Sequence, residues 1–276
     1  MTISDYFLPE MALLLAFLAV GAIAGMLGGL LGLGGGVVIV PMLDWLYARM
    51  GFPAEISMHL ALGTSLASIV FTYTSSLIAH QRRGSVLWSL SGTIIPWLLL
   101  GTLAGSFLAA RLSTAPLKAI FAVFLLYMAR KMAFPRTRAT SPKPLSAPLL
   151  RLAGAGIGAF SSLVGIGGGS LSVPLLLRAG ATIPQAAGTS SSMGLPIAVG
   201  GAVGYVLNGW GAPGLPEGAV GFVHLPSLLG IAAASVCMAP VGVSLVHRLP
   251  TPVIKRIFSL LLLAGAARMV WSAFYS

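Results

Sequence analysis

Charged residues are scarce in this 276-residue chain, where they make up 8% of the sequence against 57% hydrophobic residues. A soluble globular protein needs more charge to cover its surface, so the composition excludes a water-soluble enzyme. A single cysteine, Cys237, excludes an internal disulfide and a multi-cysteine metal site. The four histidines form no HExxH motif and the five acids form no cluster, so we expect no catalytic residue, no metal and no cofactor.

The sixteen Lys and Arg residues outnumber the acids and give a formal charge of +11. In a soluble protein this excess would suggest a nucleic-acid partner. Here the basic residues lie at the ends of apolar runs, where Lys and Arg determine membrane topology. We therefore expect no nucleic-acid partner.

Apolar runs dominate the chain, and a bilayer core about 30 Å thick needs roughly 20 such residues of helix. Long runs occupy 10–31, 57–79, 86–110, 116–133, 149–165, 184–207, 222–246 and 252–274. Two shorter stretches, 36–49 and 169–179, each follow a glycine cluster and are expected to be half-helices. The sequence predicts an all-α polytopic membrane protein. The first run is expected to be mature protein, because Asp5 and Glu10 replace the basic flank of a signal peptide.

The chain contains an internal duplication. GLGGGVVIVP, from Gly32, recurs as GIGGGSLSVP, from Gly165, with six identities in ten positions. LAARLSTAPLKAIF, from Leu108, recurs as LVHRLPTPVIKRIF, from Leu245, with seven identities in fourteen, and a Gly-Thr-Ser triplet lies between the two motifs in each half. We expect two repeats of five segments, 1–134 and 149–276, joined by a basic, proline-rich cytoplasmic linker over 135–148.

The positive charges predict that the two repeats are inverted. In the first half Arg82 and Arg83 follow the third segment, whereas in the second half Arg248, Lys255 and Arg256 follow the fourth segment. With both termini outside and the second repeat inserted upside down, twelve of the sixteen basic residues face the cytoplasm. Inverted repeats are a common plan of secondary transporters.

The glycine clusters are the candidate substrate site, because they interrupt helices at membrane depth. Such backbone is tolerated where it lines a cavity, and the N-terminus of the following half-helix offers free amides to an anion. The candidate binding residues are Gly34, Gly35, Gly36 and Val37 in the first repeat, and Gly167, Gly168, Gly169 and Ser170 in the second. The alternative is that these glycines serve only close helix packing.

Hydroxyl groups in the third segment of each half extend the candidate site. Thr64, Ser65, Thr189 and Ser190 can donate to oxyanion oxygens without carrying charge, although back-bonding to the preceding helical turn is an equal alternative. No acid lies in the middle of a long run, which disfavours a cation transporter and a carboxylate proton relay.

At these residues the sequence resembles the sulfite exporter TauE/SafE family, also called the toluene sulfonate uptake permease group. The resemblance rests on GLLGLGGGVVIVPML and SLVGIGGGSLSVPLL, with GTS in each half. It implies an inner-membrane secondary transporter of sulfur-containing anions, such as sulfite, thiosulfate, sulfate or sulfoacetate. Export coupled to protons is the usual inference for the exporter members of the family, whose members differ in substrate and direction.

Three functions follow from the sequence, and the first is favoured. It is a carrier that exports a sulfur-containing anion by alternating access, with protons as a possible coupling ion. The alternatives are an uncoupled anion channel and an importer of sulfate or a sulfonate. A membrane scaffold would give no reason for the duplicated glycine breaks. The expected partners are therefore a small anion and the lipid bilayer, with a homo-oligomer left open.

Overall fold

The apolar runs form ten helices in the residues that the computed structural model describes, which are 3–32, 34–133, 146–245 and 251–275. The first half contains α1 (Ile3–Leu31), α2 (Gly36–Arg49), α3 (Ala54–Gln81), α4 (Trp88–Ala110) and α5 (Thr114–Ala133). The second half contains α6 (Ala147–Val164), α7 (Gly169–Arg178), α8 (Ile183–Gly209), α9 (Leu225–Leu245) and α10 (Thr251–Tyr275). An antiparallel hairpin of β1 (Ala219–Val220) and β2 (Val223–His224) precedes α9.

The five segments expected in each half correspond to five helices. Six helices of the described part, namely α1, α3, α4, α6, α8 and α9, are long and apolar enough to cross a membrane, so the chain is a multi-pass membrane protein. The runs at 116–133 and 252–274 also form helices, but they are not among these six, and α5 carries Lys118, Arg130 and Lys131. Most of the predicted linker lies outside the described residues. Residues 246–250, in the repeated motif LVHRLPTPVIKRIF, also lie outside them.

The first helix of each half packs in parallel against the fourth helix of the other half. Glycines permit close contact, because the positions of their missing Cβ atoms are filled by backbone of the partner helix. Along α1 and α9 the successive contacts are Gly21 with Ile231, Gly25 with Ser235 and Gly29 with Ala239; along α4 and α6 they are Gly101 with Ala155 and Gly105 with Ala159.

The third helices of the two halves, α3 and α8, pack against each other in opposite directions. Leu66 contacts Gly201, Tyr73 contacts Gly194, and the Oγ atoms of Ser76 and Ser191 lie 3.2 Å apart. Residue numbers therefore rise along α3 while they fall along α8. The fifth helices, α5 and α10, also run antiparallel, with Lys118 bonded to Ser272 and the Ala129 carbonyl bonded to Ser259.

A buried ion pair joins α2 to α5. Asp44 and Lys118 are nearly inaccessible, at 1% and 4% side-chain exposure, and Lys118 Nζ lies 3.1 Å from Asp44 Oδ1. Ser57 and Ser272 donate to the two carboxylate oxygens, which adds α3 and α10 to the cluster. Lys118 can be buried in α5 because the Asp44 carboxylate compensates its charge. Asp44 lies in the short helix α2, which is not one of the long apolar runs.

Removing one partner of this pair is expected to cost more than removing both. Lys118→Met leaves the Asp44 carboxylate buried without its cation, which costs about 3–5 kcal/mol, whereas Asp44→Leu combined with Lys118→Met removes both charges. Thermal unfolding of the detergent-purified protein measures the difference. We expect the double variant to melt above the Lys118→Met variant, and equal melting temperatures would contradict the interpretation.

Candidate functional site

Each glycine cluster turns the chain back on the preceding helix. Gly35 and Gly168, which precede α2 and α7, adopt left-handed φ angles of 84° and 73° that other residues rarely adopt. A Cβ on Gly35 would meet Ala24 of α1, and a Cβ on Gly168 would meet Ile197 of α8 as well as Ser161 and Ile157 of α6. In each half a left-handed glycine therefore reverses the chain between a long helix and a short one.

The two breaks meet inside the protein. The Cβ position of Gly36 is occupied by Gly165 and Ile166 of the opposite repeat. The Ser65 hydroxyl donates to the Gly165 carbonyl at 2.8 Å, and the Ser190 hydroxyl makes the equivalent, longer bond of 3.4 Å to the Gly32 carbonyl. Each repeat thus satisfies a carbonyl that the break in the other repeat leaves outside helical hydrogen bonding.

The predicted hydroxyl residues hold the repeats together in this conformation. Thr64 accepts a hydrogen bond of 2.9 Å from the backbone N–H of His224, and Thr189 accepts one of the same length from Leu87. These amides lie immediately before α9 and α4, so each threonine fixes the start of a helix in the other repeat. The expected contact of Thr64, Ser65, Thr189 and Ser190 with an anion stays a prediction.

The first backbone amides of the short helices have no hydrogen-bond acceptor within their own helix. Neither N-cap, Gly35 or Gly168, has a side chain to cap its helix. Their carbonyls accept the N–H groups of residues three and four positions later, so no carbonyl of the same helix is left for the first two amides of α2 and α7. These amides belong to Gly36, Val37, Gly169 and Ser170, all candidate residues of the sequence analysis.

Tyr73 is a residue that the sequence analysis misses. It projects from α3 between the breaks, and its ring fills the space beside Gly34, Gly167 and Gly194. Its hydroxyl is buried, faces the backbone amide of Gly169, and has no hydrogen bond of standard geometry. The duplication could not indicate this position, because Ala198 stands at the equivalent place in α8.

The hydroxyl groups around the breaks are distributed unequally. Ser161 and Ser170 lie beside the start of α7, and neither has a hydrogen-bond partner although both are buried. The equivalent positions beside α2 are Gly28 and Val37, which carry no polar side chain.

In the described part of the chain, no group of three His, Cys, Asp or Glu residues could hold a metal ion.

Comparison with known proteins places this architecture in a family. The family model described as "Sulfite exporter TauE/SafE" matches residues 17–269. A probable membrane transporter protein of Haemophilus influenzae is 36% identical over 260 residues, which cover 93% of this chain and 97% of that protein. A probable membrane transporter protein of Methanocaldococcus jannaschii is 29% identical, over 86% of this chain and 88% of that protein. No solved structure matches significantly.

The match spans both repeats and both glycine breaks, and the relatives are named as transporters rather than as enzymes. The resemblance carried by the paired glycine motifs is therefore confirmed. This chain belongs to the sulfite exporter TauE/SafE family of membrane transporters.

Proposed function

We propose that the protein is a secondary transporter that exports a sulfur-containing anion by alternating access of its two repeats, coupled to protons. The observation that carries the proposal is the meeting of the two breaks, where Gly36 contacts Gly165 and two uncapped helix N-termini lie close together. Free amides and the positive end of a helix dipole favour an anion. Sulfite, thiosulfate and sulfonates present several oxygens in a compact head, which suits convergent donors.

The proposal includes inverted repeats. An axis in the membrane plane relates equivalent helices in opposite directions, whereas an axis along the membrane normal relates them in the same direction. The antiparallel packing of α3 on α8, and of α5 on α10, supports the first arrangement. Exchange of the two repeat conformations would then convert an outward-open state into an inward-open one.

Cross-linking tests the antiparallel contact of α3 and α8. In a Cys237→Ala background, Ser76→Cys with Ser191→Cys is expected to form an oxidative link, because the two serine Oγ atoms are 3.2 Å apart. Covalent joining of the halves after cleavage at a protease site inserted in the linker reports the link. Ser68→Cys with Ser191→Cys is the control, since Ser68 lies eight residues, or about 12 Å, from Ser76 along α3. Linkage of the control pair alone would contradict the arrangement.

Side chains at the breaks are expected to abolish transport without preventing membrane insertion. Gly35→Leu combines a strained φ angle with a collision against α1, and Gly168→Leu combines one with collisions against α8 and α6. Sulfite and sulfoacetate flux through proteoliposomes measures the loss. Gly156→Leu on α6 is the matched control, because a Cβ at Gly156 meets nothing within 4 Å. Wild-type flux in both break variants would refute the proposed site.

The same proteoliposomes distinguish a coupled carrier from an anion channel. With the membrane potential clamped, an imposed proton gradient is expected to drive anion accumulation by the carrier. A channel would leave the anion at its electrochemical equilibrium whatever the proton gradient. Flux that does not depend on the proton gradient would therefore support the anion channel instead of the coupled carrier. It would not contradict the proposed anion site at the breaks.

A further inference from the structure

We propose that the transported anion binds asymmetrically, at the start of α7, where the hydroxyl groups of Tyr73, Ser161 and Ser170 and the first amides of the helix form one oxyanion site. This inference rests on the proposed function and adds Tyr73 and Ser161 to the candidate residues. The ligand class is a compact oxyanion, a sulfite-like ion or the head group of a sulfonate, held by uncharged donors.

The first observation is that three buried hydroxyl groups lack partners at one place. Ser161 is 0% exposed, Tyr73 1% and Ser170 4%, and among the described residues these are the buried hydroxyls without a hydrogen-bond partner. A buried polar group that makes no hydrogen bond costs about 1–3 kcal/mol. Three such groups at one place require an explanation, and a bound anion is the one that the proposed function supplies.

The second observation is that all three groups surround the same helix end. Ser161 Oγ lies 3.0 Å from the Cβ position of Gly168, and Ser170 is in the first turn of α7. The Tyr73 ring touches Gly167, and its hydroxyl faces the Gly169 amide. The three hydroxyl groups and the first two amides of α7, those of Gly169 and Ser170, therefore lie around the start of one helix.

The third observation is that the fold itself does not require these hydroxyls. The equivalent hairpin in the first repeat forms with Gly28 and Val37 in place of Ser161 and Ser170, and α8 has Ala198 in place of Tyr73. Each half has a glycine break followed by a short helix, whereas the hydroxyl groups without partners belong to one side. Their presence at the α7 end is therefore explained by what they bind rather than by how the hairpin folds.

Tyr73 adds a hydroxyl group of the first repeat to a site that is otherwise formed by the second repeat. It belongs to α3, while Ser161 and Ser170 belong to α6 and α7. A movement of one repeat against the other would withdraw the Tyr73 hydroxyl from the start of α7. The site is therefore complete only in some relative positions of the repeats, which links anion affinity to the transport cycle.

Titration calorimetry of the purified full-length protein with sulfite and with sulfoacetate tests the proposal. Tyr73→Phe and Ser161→Ala are each expected to weaken binding about 10- to 100-fold, the loss of one hydrogen bond to a charged group. Tyr73→Phe is also expected to leave the melting temperature of the anion-free protein unchanged or higher, because the deleted hydroxyl has no partner there. The shift in melting temperature that the anion induces in the wild type should shrink in both variants.

Two matched controls separate the site from general damage. Tyr205→Phe removes the hydroxyl of a tyrosine that is equally buried but donates to the Ser162 carbonyl at 3.1 Å. Ser162→Ala removes the hydroxyl next to Ser161, which donates to the Ala159 carbonyl. Both controls are expected to keep wild-type anion affinity, and Tyr205→Phe is expected to melt at a lower temperature.

The outcomes distinguish this inference from the proposed function. Wild-type affinity in both Tyr73→Phe and Ser161→Ala, with transport intact, would overturn the hydroxyl site and leave the transporter assignment standing. Water bound to the hydroxyls in place of an anion would give that result. A wild-type protein that neither binds nor transports these anions would overturn both proposals.

Discussion

The structure depends on a close backbone contact that tolerates no side chain. Gly36 packs directly against Gly165 and Ile166, and Gly35 and Gly168 fold back on the helices that precede them. Broken backbone inside a membrane protein is stable only if its carbonyls and amides find partners within the protein. The reciprocal bonds from Ser65 and Ser190 supply partners for two carbonyls, while the amides at the helix starts remain without carbonyls of their own helix.

The Gly-Thr-Ser triplet shows how one short motif can perform several tasks at this contact. Gly63 leaves space for the Phe222 carbonyl, Thr64 accepts the His224 amide, and Ser65 donates to the Gly165 carbonyl. All three partners belong to the second repeat, and the second triplet makes the matching contacts with the first repeat. Each triplet therefore connects its own repeat to the other one. These contacts are sufficient to explain why the triplet occurs in both halves, whether or not it also contacts a ligand.

The sequence predicted the elements that depend on local pattern. Long apolar runs gave the helices, and the repeated glycines gave the starts of the short helices at Gly36 and Gly169. The partners of individual hydroxyls could not be predicted, because Thr64 meets residue 224 only once the two halves have packed. Tyr73 and the ion pair of Asp44 with Lys118 were missed for the same reason, because their partners lie in other helices.

Departures from the repeat symmetry indicate how the two halves differ in task. The first repeat has Asp44, which ties α2 to α5 and α10, while the equivalent position in α7 is Leu177. α2 accordingly packs on α1, α3 and α10, whereas α7 packs mainly on α8. The short helix that carries Ser170 is therefore the less restrained of the two. A symmetric fold can interchange two states, and this unequal anchoring supports the proposed placement of the anion beside α7, the short helix with fewer neighbouring helices.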